Sequence, residues 1–160
     1  MDEKTKESIE LVIFHCEMFL YGYKGPPDAI FNPVANSYNQ FAGLHLVSTM
    51  FLIQDVPKEP MGGFCYRTLE PLGKSDLLDA IRQLFETPVG QTTFGDFMRL
   101  SRNKLATHGD LSFSQMPEKT QSLPFDRNAF RKFQKLMGEL AEEVSRLRCR
   151  LKEIVQKDSL

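Results

Sequence analysis

"FRKFQKLMGELAEEVSRLRCRLKEI", residues 130–154, sets the fold class. Phe130, Phe133, Met137, Leu140, Val144, Leu147, Leu151 and Ile154 step by three and four in strict alternation, which is four heptads of an apolar seam on one α-helix. Asp126 stands where a cap belongs, and about thirty residues at 1.5 Å each make a helix of roughly 45 Å. Such a helix is longer than any other expected in the chain, so part of it is expected to project beyond the body it packs on. Its flanks carry Arg127, Arg131, Lys132, Lys135, Arg146, Arg148, Arg150 and Lys152 against Glu139, Glu142, Glu143 and Glu153. This is the one clearly basic surface in the sequence. It reads either as a solvated helix face or as a track for a phosphate backbone, with Arg127, Arg131, Lys132 and Lys135 as the RNA-binding candidates.

Outward from the seam, the apolar period stays helical. Ile9, Val12, Ile13, Cys16, Phe19, Leu20 and Tyr23 give a first helix from about residue 4 to 23 with one wide apolar face. "YKGPPD" stops it. A second helix opens at Asn32 and Pro33 and runs to about Gln54. Val34, Tyr38, Phe41, His45 and Leu52 lie on one face and Leu44, Val47 and Phe51 on another, so it is expected to lie centrally, with His45 as a core histidine. Residues 55–74 hold three prolines and three glycines without a period and read as a long loop. Ser75 caps a third helix with Leu77, Leu78, Ile81, Leu84 and Phe85 inward. A fourth begins near Thr92 or Thr93, carries Phe94, Phe97, Met98, Ser101 and Leu105 on its inner face, and ends at Gly109. The expectation is therefore an all-α, up-and-down bundle of about five helices, in one domain over residues 1–160.

Composition narrows the function. With 20 Lys+Arg against 21 Asp+Glu the net charge is −1, so no global field draws in nucleic acid or membrane, and any phosphate site must be local. Three scattered cysteines form neither a disulfide framework nor a zinc cluster, which suits a reducing cytoplasm. The mixed-charge start is unlike a signal peptide, and no stretch reaches the roughly 20 apolar residues of a membrane span. "PMGGFC" lacks the lysine and following helix of a phosphate loop. No metal and no cofactor are expected.

"RNKLATHGD", residues 102–110, is where the chemistry concentrates. Arg102 is a permanent cationic fork suited to a scissile phosphate, Asn103 can orient a partner, and His108 titrates near neutrality and can move a proton to or from a ribose 2′-hydroxyl. In an unbroken helix, positions 102 and 108 point about 120° apart. They converge if the helix ends near Thr107, or if two copies meet on a two-fold axis and share a cleft. The alternative is an ordinary helix end, with cations beside free carbonyls and a glycine terminator.

The seven residues "RNKLATH" resemble the signature of the HEPN superfamily, an arginine and a polar residue followed at short range by a histidine near a helix end. The resemblance implies a small all-α domain working as a homodimer. It implies a metal-independent endoribonuclease with Arg102, Asn103 and His108 in its cleft, leaving a 2′,3′-cyclic phosphate and a 5′-hydroxyl. Prokaryotic toxin–antitoxin and anti-phage roles follow from it, with a cognate antitoxin or nucleotidyltransferase as partner. Two other readings remain open, a non-catalytic RNA- or protein-binding module, and a structural protein dimerising through the heptad seam.

Overall fold

A computed structural model describes residues 1–24, 50–51, 54–56, 59–61, 63–101 and 127–158. In chain order its elements are α1 (Glu3–Lys24), β1 (Gln54–Val56), β2 (Glu59–Met61) and α2 (Phe64–Leu69), then a 3-10 turn (Ser75–Leu78) that leads into α3 (Asp79–Phe85). These are followed by β3 (Pro88–Val89), β4 (Thr92–Thr93), α4 (Phe94–Ser101) and α5 (Arg127–Lys157). The described residues are mostly helical, as the apolar period predicts, with two short antiparallel hairpins. The expected second helix lies largely outside the described residues. Met50 and Phe51 are helical and buried, but Gln54 already opens β1, so the helix stops short of its expected end.

The heptad seam of α5 finds its cover within the chain. Leu140, Val144 and Leu151 are completely buried and Leu147 nearly so, packed with Ile9, Val12, Cys16 and Phe19 of α1. The two helices run antiparallel. The N-terminal ammonium of Met1 meets Asp158 at 2.8 Å, and at the other end Tyr23 stands over Gly138. Between them Lys152 Nζ donates to Glu17 Oε1 at 2.6 Å, and this bond holds the Glu17 carboxyl below the usual range. Both side chains are more than 40% exposed, so the pair contributes little, below about 1 kcal/mol. At 1.5 Å per residue α1 spans about 33 Å and α5 about 46 Å. The extra length at the start of α5 is taken up by an aromatic stack, with Phe133 against Phe97 at 4.7 Å and Phe94 at 5.5 Å, and Phe94 against Phe85 at 5.8 Å.

The described residues of the segment expected to be a long loop include regular elements. Gln54–Val56 pairs antiparallel with Glu59–Met61, Val56 opposite Glu59, and Phe64–Leu69 is a short helix that buries Cys65 and Leu69. At Gly63, just before α2, the chain passes close against itself: a Cβ there would lie 2.4 Å from the Met50 carbonyl oxygen and 2.7 Å from the Phe51 nitrogen. Backbone cannot yield as a side chain does. Gly63→Ala is therefore expected to cost about 1–3 kcal/mol and lower the melting midpoint by several degrees. An unchanged thermal transition would contradict this packing.

Local chemistry explains the remaining starts and stops. The expected third helix begins as a 3-10 turn after Lys74, without the side-chain cap expected of Ser75, and becomes α-helical only at Asp79. Pro88–Val89 pairs with Thr92–Thr93 around Gly90, whose φ of +61° suits the first position of a type II′ turn. Thr93 then caps α4, its Oγ1 accepting the Asp96 N–H at 3.1 Å.

Burial separates the three thiols. Cys16 and Cys65 are completely buried, and burial pushes Cys16 up to about 12 and Cys65 well above the ordinary thiol range, while Cys149 is exposed. A thiol-specific disulfide reagent at neutral pH is expected to titrate one cysteine quickly in the native protein and three after denaturation. Rapid reaction of two or more would contradict the α1–α2 packing.

Candidate functional site

The site read from the sequence begins where α4 ends. Ser101 is the last residue of α4, and Arg102, Asn103 and His108 follow it, outside the described residues. What is described is their root. Phe94, Phe97 and Met98 are each at most 2% exposed, so α4 is fixed along its inner face. The expected C-cap at Gly109 and the inner position of Leu105 also lie outside the described residues.

The four RNA-binding candidates fall on the first turns of α5. Arg127 opens the helix, and Arg131 and Lys132 are exposed. Lys135 is exposed too, and pairs with Glu139 one turn on at 3.5 Å. By position Arg131 and Lys135 share one stripe of the helix. These turns contain no acidic residue, whereas the helix macrodipole favours acids at this end and disfavours cations. Cations collected there gain stability from an added anion. Phe133 sits between Lys132 and Lys135 in sequence and packs on Phe94 and Phe97, so aromatic contacts join the basic turns of α5 to the helix at the root of the 102–108 segment.

Of the other four cations of the basic surface, two are committed. Arg146 pairs with both Glu142 and Glu143, and Lys152 with Glu17. A shallow open groove of about 490 Å³ runs beside Glu142, Ser145, Arg146, Cys149 and Arg150, away from the aromatic contact. Arg148 reaches toward Cys149, and its Nε is buried without a hydrogen-bond partner among the described residues. His15, to which the sequence assigns no role, bonds through Nδ1 to the Leu11 carbonyl at 2.7 Å and stacks near Phe64. Among the described residues no three His, Cys, Asp or Glu side chains are grouped to hold a metal ion, and no helix is long and apolar enough to cross a membrane.

Sequence reasoning missed the aromatic contact as a site feature, although Phe94, Phe97 and Phe133 were each read as inward-facing. Nothing in a linear pattern says which inward faces meet. Compared with protein-family models, curated proteins and solved structures, the chain matches none.

Proposed function

We propose that the chain is a metal-independent endoribonuclease of the HEPN type, with Arg102, Asn103 and His108 as its reacting groups and the first turns of α5 as its RNA-binding surface. One observation carries the reading: the Phe133 contact to Phe94 and Phe97 puts exposed Arg131 and Lys132 on the element packed against the helix from which the 102–108 segment departs. In this reading His108 takes the proton of a ribose 2′-hydroxyl, and the 2′-oxygen attacks the neighbouring phosphorus. Arg102 offsets the charge that grows on the phosphoryl oxygens, and Asn103 orients the reacting groups. The 5′-oxygen leaves as it gains a proton, so the products are a 2′,3′-cyclic phosphate and a 5′-hydroxyl. A homodimer with two motifs facing one cleft supplies the convergence that positions six apart do not reach on one helix.

The test is incubation of the chain with bulk tRNA in excess EDTA, followed by end-group analysis. Fragments ending in 2′,3′-cyclic phosphate are expected. Cleavage that stops in EDTA and returns with magnesium overturns the reading, as does a complete lack of cleavage. The pairing of Lys135 with Glu139, and of Arg146 with two glutamates, thins the free positive charge along α5 and favours a second reading. In it the same surface binds RNA or a cognate antitoxin or nucleotidyltransferase without turnover. Retention of labelled tRNA without fragments distinguishes it.

A further inference from the structure

We draw no further inference here: the strongest candidate, the exposed apolar stripe of Leu11, Phe14, Met18 and Tyr21 on the outer side of α1, carries none, because nothing among the described residues shows what covers it.

Discussion

Leu140→Asp is expected to leave no cooperative unfolding transition. Leu140 is completely buried at the middle of the α5 seam, with Leu136, Met137 and Val144 buried around it on the same helix. Truncation alone, as Leu140→Ala, removes contacts on both helices and leaves a cavity, costing about 2–5 kcal/mol. Aspartate adds a carboxylate to an apolar layer in which no cation on the seam lies within a turn of it, at a further cost of several kcal/mol. A domain of this size is stable by about 5–15 kcal/mol, so alanine leaves a weakened fold and aspartate approaches or exceeds the whole margin. Urea titration followed by circular dichroism reads both. A cooperative, near-wild-type transition for Leu140→Asp would show that α1 and α5 are not packed as described.

The second large effect belongs to chemistry. In the proposed reaction His108→Ala removes the proton acceptor, and Arg102→Ala removes the charge that would stabilise the transition state. Positioned acid–base catalysis contributes roughly 10²–10⁴-fold, and a preorganised charge-stabilising group about 10²–10³-fold. Each variant is expected to lose cleavage by about these factors while its melting curve stays within a degree or two of wild type. Loss of cleavage together with loss of fold would make the residue structural. His108→Gln is the informative control, since it keeps size and polarity but cannot titrate.

Much of the scaffold is legible in the sequence, and the reason is periodicity. A run of eight apolar positions at strict 3-4 spacing leaves no structure but a helix with one buried seam, and the burial of Leu140, Val144, Leu147 and Leu151 follows from it. What the pattern could not say is which element covers the seam, and α1 of the same chain does. The Thr93 cap was legible because its chemistry is local. α2 was not, because six residues after two glycines carry barely one helical repeat, Cys65 to Leu69, amid prolines that signal loop. The β3–β4 hairpin, two residues a side, is too short to show alternation at all. On α1 the inner face was read correctly from Ile9 to Leu20, whereas Tyr23, assigned to it, is exposed, and Leu11, Phe14, Met18 and Tyr21 are a separate stripe that a search for one wide face absorbs. For the site, residue chemistry at Arg102, Asn103 and His108 was legible as type and spacing, while convergence is a property of three dimensions that spacing does not fix. The structure adds the fixed root of that segment and the basic turns packed beside it.

The most direct trial of the ribonuclease proposal is the single-turnover rate of tRNA cleavage in excess EDTA, compared between the wild type and His108→Ala at matched, folded concentration. The account predicts metal-independent fragments with cyclic phosphate ends from the wild type and a rate at least about 100-fold lower from the variant. Equal rates from the two proteins would contradict it.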